Sequence, residues 1–220
     1  MALEVIEYET SPDVVASVIV LHGLGADGRD FLPVAEELNL QAIGGVRFVF
    51  PHAPKQAVSV NGGVMMRAWY DILDAELDRQ EDEAGMRSSQ AAVAALISKE
   101  IKRGVPASRI VLMGFSQGCA TILLAGLRYP ARLAGLVCLS GYLPLAATTA
   151  AERHVSNAEL PIFQAHGRSD TVVPIELAEA AHMILQGLGH PLDWHEYAMQ
   201  HSVCSEEIAD LNRWLLKLLS

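Results

Sequence analysis

The residues best suited to chemistry lie around a serine near the middle of the chain. The segment Gly114-Phe115-Ser116-Gln117-Gly118 directly follows an apolar, strand-like run (109–113) and directly precedes an apolar, helix-like run. A serine on a tight strand-to-helix turn presents its hydroxyl, and flanking glycines let neighbouring backbone approach closely. The segment therefore predicts that Ser116 is a nucleophile that attacks a carboxyl ester or thioester. A purely structural turn is the alternative.

Two backbone amides are candidates for stabilising the negative oxygen that forms when a serine attacks a carbonyl. The amide of Gln117 begins the predicted helix, where N–H groups are unpaired and the helix dipole favours negative charge. The amide of Leu24 lies in Leu21-His22-Gly23-Leu24-Gly25, directly after a predicted strand (17–21). We expect these two amides to form an oxyanion hole. A phosphate-binding loop is the rival interpretation, but the run lacks G-x-G-x-x-G and the P-loop lysine.

A serine hydroxyl becomes a good nucleophile only when a base removes its proton, and the chain has eight histidines for that role. In sites built on this turn the chain order is serine, acid, histidine. His166 precedes the best acid, so its order is wrong, whereas His201 lies between the last predicted strand and the final helix. Asp170 follows the predicted strand 162–165 and would hold the His201 imidazole in the correct tautomer. The sequence thus predicts a triad of Ser116, Asp170 and His201. An ordinary surface histidine and a helix-capping aspartate are the alternatives.

The elements that must position these groups alternate between short apolar runs and helix-length segments. Such alternation predicts an α/β fold with a mainly parallel sheet, helices on both faces and right-handed crossovers. The candidate residues follow strands, at the sheet edge where ligands bind in folds of this type. The predicted strands are 17–21, 46–50, 109–113, 136–139, 162–165 and 191–197, and the predicted helices are 30–40, 88–103, 117–129, 175–188 and a C-terminal helix that docks through Ile208, Leu211, Leu215 and Leu218.

Composition narrows the function classes. The 220 residues contain no tract rich in Gly, Ser and Pro, so we expect one domain spanning 1–220. A net charge of −10 disfavours nucleic acid and anionic lipid as partners. No uncharged apolar run reaches membrane-spanning length, and the first fifteen residues lack a signal-peptide pattern, so a cytoplasmic protein is expected. The three cysteines form no CxxC and the histidines no H-E-x-x-H, so neither a metal nor a cofactor is predicted.

Together these residues resemble the acyl-protein thioesterase and small carboxylesterase family of α/β-hydrolases. The resemblance covers nearly the whole chain, from Leu21-His22-Gly23-Leu24-Gly25 to His201-Ser202. The matching segments between them are Pro51-His52-Ala53-Pro54, Trp69-Tyr70-Asp71, Gln80-Glu81-Asp82-Glu83, the Ser116 segment, His166-Gly167 with Asp170, and Val173-Pro174. The resemblance implies an α/β-hydrolase fold without a large cap domain, often dimeric, acting on aliphatic carboxyl esters or acyl thioesters without a cofactor. By position it also implies that segment 71–78 lies beside the acyl groove, with Leu73 and Val173 on the wall.

Several alternatives remain open at the level of sequence. Acyl-protein thioesterase or lysophospholipase activity is one, and a cofactor-free perhydrolase using the same triad is another, because fold and triad do not determine the reaction. A non-catalytic binding module on a hydrolase scaffold is a third. For a homodimer, Trp214, Leu216 and Leu219 are interface candidates, since they lie off the docking stripe of the last helix; ordinary terminal packing is their alternative.

Overall fold

The protein is built on a central seven-stranded sheet, seen in a computed structural model that describes residues 3–74, 77 and 80–220. The sheet order is β1-β3-β2-β6-β7-β8-β9; β1 runs antiparallel to β3, all other neighbours are parallel, and β4 and β5 form a separate hairpin. This confirms the predicted α/β class and places β6, which leads into Ser116, in the middle of the sheet. The described residues form these strands: β1 (Val5–Glu9), β2 (Val14–Leu21), β3 (Gly45–Pro51), β4 (Lys55–Val58), β5 (Val64–Arg67), β6 (Ile110–Phe115), β7 (Gly135–Leu139), β8 (Ile162–Gly167) and β9 (Leu192–Tyr197).

Helices cover both faces of the sheet. Alternate residues of β2 point to opposite sides: Ile19 and Leu21 join one buried cluster, and Val18 and Val20 join the other. Buried residues of α2, α3 and α5 belong to the first cluster, and those of α1 and α6 belong to the second. Within the described ranges, no helix is long and apolar enough to cross a membrane. The helices are α1 (Leu32–Glu37), α2 (Glu83–Lys102), α3 (Gln117–Arg128), α4 (Ala146–Glu152), α5 (Ile175–Gly187) and α6 (Ser205–Leu218).

The element ends differ from the predictions where tertiary contacts decide them. The helix predicted over 88–103 begins at Glu83, because Asp82 caps it by accepting a hydrogen bond from the Gly85 amide. The helix predicted over 30–40 is confined to Leu32–Glu37. The edge strand β1 and the β4–β5 hairpin were not predicted, since they lack the continuous apolar runs of the central strands.

The three residues suggested for an interface on the last helix differ in burial: Leu219 is buried, whereas Trp214 and Leu216 are half-buried. Leu219 is 1% exposed, and Trp214 packs its ring against Phe163 with centroids 5.9 Å apart. Trp214 and Leu216 both pack against the core cluster on the α6 side of the sheet. Leu219 therefore cannot contact a partner, and an interface that includes Trp214 and Leu216 stays a prediction.

A buried carboxyl in α6 makes stability depend on pH. Glu207 is fully buried in the first turn of α6, and burial raises its pKa from 4.5 to about 8. The stability that the protonated Glu207 carboxyl contributes is fully present below its unfolded-state pKa of 4.5. It is lost as the pH rises through the folded-state pKa of about 8, because the folded chain then holds a buried charge. We expect Glu207→Gln to be more stable than the parent chain at about pH 9 and to lose that advantage at about pH 4.

Urea unfolding of both chains across this range measures the effect. Glu206→Gln is the control, because Glu206 is the neighbouring glutamate on the exposed side of the same turn. The same pH dependence in the parent chain and in Glu207→Gln would contradict the assignment.

Candidate active site

The turn that carries Ser116 is strained and closely packed. Ser116 connects β6 to α3 with φ 55° and ψ −119°, a left-handed conformation that non-glycine residues rarely adopt. A Cβ at Gly114 would lie 2.4 Å from the carbonyl carbon of Gly118, and one at Gly118 would lie 2.3 Å from the carbonyl oxygen of Leu21. Both positions therefore require glycine, as the sequence pattern predicted.

The loop after β2 brings a second backbone amide to the serine. A Cβ at Gly23 would lie 3.4 Å from the Ser116 Cβ, and Leu24 lines the same cavity as Ser116 and Gln117. The N–H groups of Leu24 and Gln117 meet no hydrogen-bond acceptor in the part of the chain that the structure describes. Two unpaired donors next to a serine are the arrangement needed to hold a developing oxyanion.

The side chain of Gln117 has a different task. Its Oε1 accepts a hydrogen bond from the Trp69 amide at 2.8 Å, and its Nε2 donates to the Tyr70 carbonyl oxygen at 2.8 Å. These bonds attach the start of α3 to the segment that forms the cavity wall. The side chain of Gln117 is therefore engaged in structure, and only its backbone N–H faces the cavity without a partner among the described residues.

A buried histidine holds the Leu24 loop in place. His22 donates from Nδ1 to the Gly23 carbonyl oxygen at 2.7 Å and accepts at Nε2 from the Ala53 amide at 3.1 Å, while its own carbonyl oxygen accepts the Trp69 indole N–H at 2.9 Å. Burial lowers the pKa of His22, which keeps the ring neutral and able both to donate and to accept. The segments around Ala53 and Trp69, for which the sequence predicted no role, therefore support the loop that carries Leu24.

His201 and Asp170 meet at the end of β8. The His201 Nδ1 lies 2.6 Å from the Asp170 Oδ2, and the Asp170 side chain is completely buried. Because a carboxylate only accepts, the shared proton belongs to Nδ1, and Nε2 is left to take a proton from a nucleophile. The His201 ring also packs against Phe115, directly before Ser116, with centroids 4.6 Å apart. The predicted serine, acid and base thus lie on neighbouring loops at one edge of the sheet.

A second histidine, for which the sequence predicted no role, also contacts the acid. His166 is fully buried, and its Nε2 lies 2.8 Å from the Val173 carbonyl oxygen and 3.4 Å from the Asp170 Oδ2. Both partners are acceptors, so Nε2 carries the proton, and burial lowers the pKa of His166 and keeps the ring neutral. Asp170 in turn accepts the amides of Val172 at 2.8 Å and Val173 at 2.9 Å. His166 therefore connects the acid to the cavity wall.

The cavity at Ser116 is small and mostly apolar. Its volume is about 70 Å³, and the hydroxyls of Tyr70 and Tyr142 face each other across 2.8 Å on its lining. Val173 lines it as expected. Leu73 does not: it is 37% exposed, and Ile72 and Leu77 take its place. Of the predicted groove segment 71–78, residues 75, 76 and 78 lie outside the described residues. No group of three or more potential metal-ligating side chains occurs in residues 3–74, 77 and 80–220.

Comparison with known proteins agrees with this geometry. Residues 2–219 match the family described as Phospholipase/Carboxylesterase. The chain is 40% identical over 205 residues to acyl-protein thioesterase 1 of Yarrowia lipolytica, covering 91% of this chain and 90% of that protein. Among solved structures it is similar to SOBER1 of Arabidopsis thaliana, with TM-score 0.88 and 28% identity over 93% of this chain and 99% of that one. Acyl-protein thioesterase 2 of Zea mays gives TM-score 0.85 and 29% identity over 98% of this chain and 99% of that one.

Replacing His166 separates its positioning role from its packing. We expect His166→Phe to lose about 1–3 kcal/mol of stability, because the Val173 carbonyl loses its buried donor. We also expect kcat/KM for a p-nitrophenyl ester to fall roughly tenfold or more, since Asp170 and the cavity wall shift together.

His190→Phe is the matched control, because His190 is also buried on a backbone carbonyl, that of Leu160, outside the cavity lining. Urea unfolding and initial rates measure both variants. We expect a similar stability loss with little loss of rate in His190→Phe, and His166→Gln should recover activity because glutamine can donate. Equal rates in the two phenylalanine variants would contradict the positioning role.

Proposed function

Because the chain belongs to the phospholipase/carboxylesterase family and is a serine hydrolase of esters or thioesters, we propose that Ser116, His201 and Asp170 are its catalytic triad. The observation that carries this proposal is that three features lie at the same end of the sheet, where the His201 ring packs against Phe115, the residue before Ser116. These are the strained Ser116 turn, the 2.6 Å contact of His201 with Asp170, and the unpaired amides of Leu24 and Gln117. Each supplies a different requirement of acyl transfer.

The proposed reaction proceeds through an acyl-enzyme. His201 Nε2 takes the Ser116 proton as Oγ attacks the carbonyl carbon, and the amides of Leu24 and Gln117 hold the negative oxygen. The tetrahedral intermediate collapses when His201 returns the proton to the leaving alcohol or thiol. Water, deprotonated by the same histidine, then attacks the acyl-enzyme and releases the carboxylic acid. Asp170 keeps the Nδ1 proton in place and stabilises the imidazolium that forms twice in each cycle.

The dimensions of the cavity favour short acyl groups. A volume of about 70 Å³ is well below the roughly 300–1,000 Å³ of ordinary ligand pockets. The Tyr70 and Tyr142 hydroxyls add a polar contact on the lining. We therefore propose acetyl to butyryl esters or thioesters as the preferred substrates.

Other features of the proposal come from the sequence or from the relatives. The names of the relatives extend it to acyl thioesters on proteins. A single catalytic domain over 1–220, a cytoplasmic location and a homodimer stay predictions from the sequence. If a dimer forms, its interface excludes Leu219, which is buried within the chain.

Removing the nucleophile tests the triad. We expect Ser116→Ala to lower the turnover of p-nitrophenyl acetate by about a millionfold, as in a comparable triad enzyme, because no acyl-enzyme can form. Ser169→Ala, an exposed serine in the turn before Asp170, serves as control and should retain its rate. Near-normal turnover by folded Ser116→Ala would eliminate the proposed nucleophile.

Substrate length tests the cavity. We expect kcat/KM to fall from the acetyl or butyryl ester to the octanoyl ester, and Ile72→Ala to shift the preference toward the longer chain by about tenfold, because it removes three carbons from the cavity wall. Leu73→Ala is the matched control, since Leu73 lies outside the lining. Rates across this ester series, with the corresponding thioesters, measure both effects. A shift in Leu73→Ala as large as in Ile72→Ala would show that the cavity wall is assigned wrongly.

A further inference from the structure

A second and larger groove lies behind the Leu24 loop. Its volume is about 600 Å³, and it shares no lining residue with the Ser116 cavity. Its walls come from the end of β3, the end of β5 and one side of α2. A groove of this size is in the range of small-molecule sites in proteins.

One wall carries a histidine N–H without an acceptor among the described residues. His52 lines the groove and is only 4% exposed. Its Nδ1 accepts the Gly28 amide at 3.0 Å, so the ring proton is on Nε2. Because this Nε2–H reaches solvent, it can donate to water or to a ligand acceptor in the groove.

The same wall carries an arginine that forms no salt bridge among the described residues. Arg67 lines the groove and donates from Nη1 to the Ala53 carbonyl oxygen at 2.9 Å. No described carboxylate lies within salt-bridge distance of it, including Glu4 on the groove lining. The pKa of Asp27 is lowered mainly by its hydrogen bond from the Arg29 amide, and at longer range by Arg67 and His52. Arg67 and the His52 N–H thus place two donors for an anion on one wall of the groove.

The side of the groove formed by α2 carries only small side chains. Ala91, Ala92 and Ala95 line it together with Ser88 and Ser89, and Leu3 and Trp69 add apolar surface. Small side chains on a helix leave a channel for an extended hydrocarbon chain, which is stabilised there by removal from water. The polar wall and the alanine face together fit a ligand with an anionic head and an aliphatic tail.

We propose that this groove binds an aliphatic monocarboxylate, with the carboxylate on His52 Nε2–H and Arg67 and the chain along the α2 alanines. Such acids belong to the product class of the proposed reaction, and that connection alone rests on the proposed function. Binding itself does not depend on Ser116 or on the small cavity.

The contacts of the groove with the Leu24 loop guide the choice of variants. The Arg67 carbonyl oxygen accepts the Gly25 amide at 2.9 Å, and His52 holds Gly28. Replacing His52 would release Gly28 and the loop it belongs to, so His52 is left unchanged. Arg67→Gln removes the positive charge of the groove wall. The glutamine retains a donor for the Ala53 carbonyl, and the backbone bond between Arg67 and Gly25 stays intact. The groove is filled by Ala92→Leu with Ala95→Leu, and Ala84→Leu is the control because Ala84 is exposed on α2 outside the groove.

Isothermal calorimetry of the full chain with octanoate and with octan-1-ol tests the proposal. We expect octanoate to bind, Ala92→Leu with Ala95→Leu to weaken binding at least tenfold, and Ala84→Leu to leave it unchanged. Arg67→Gln should weaken the binding of octanoate by about tenfold, which is the effect of one lost charge-assisted hydrogen bond. The binding of octan-1-ol should stay unchanged. Circular dichroism checks that each variant is folded.

Absence of octanoate binding at millimolar concentration would overturn the proposal. Octanoate binding that survives Ala92→Leu with Ala95→Leu would also overturn it. So would an equal loss of octanoate binding and octan-1-ol binding in Arg67→Gln. Calorimetry requires no turnover, so these results are independent of whether Ser116 hydrolyses esters.

Discussion

Close backbone contact at the carboxyl end of β2 and β6 determines where the reactive groups lie. A Cβ added at Gly118 would lie 2.3 Å from the Leu21 carbonyl oxygen. Any side chain at this position would therefore push the end of β2 away from α3. Leu24 would move with it, because its loop begins where β2 ends. The same contact that keeps Ser116 at φ 55° thus holds the Leu24 loop, with its proposed oxyanion donor, beside the serine. Strain at one residue is maintained by the packed parallel sheet on both sides of β6.

The histidines of the site differ in burial, and burial separates their roles. His22 and His166 are buried, have lowered pKa values and remain neutral, so each can donate through one nitrogen while the ring packs against its surroundings. His201 has a side chain 16% exposed and rests on the carboxylate of Asp170. The proposed role of His201, gaining and losing a proton in each cycle, requires a counter-charge and access to water. A histidine that supports a loop needs neither.

The loop that carries Leu24 is supported from the side away from Ser116. The Ala53 amide and the Trp69 indole N–H donate to His22. The Gly28 amide donates to His52, and the Gly25 amide donates to the Arg67 carbonyl oxygen. His52, Ala53 and Trp69 belong to segments that resemble the family in sequence, whereas Arg67 lies outside them. These four residues also form one wall of the large groove, so a ligand there would contact the supports of the loop directly. The small cavity and the large groove are therefore joined through one loop.

The sequence by itself determined the central strands, the glycine-flanked turn at Ser116 and the order of serine, acid and histidine. These features depend on local patterns: apolar runs of strand length, and glycines where backbone segments must touch. Tertiary structure alone decided that Ile72 and Leu77, rather than Leu73, line the cavity. It also decided that His166 contacts Asp170 and that Trp214 packs on the chain's own core. Those outcomes depend on which side chains meet after distant segments fold together, and neither periodicity nor turn chemistry contains that information.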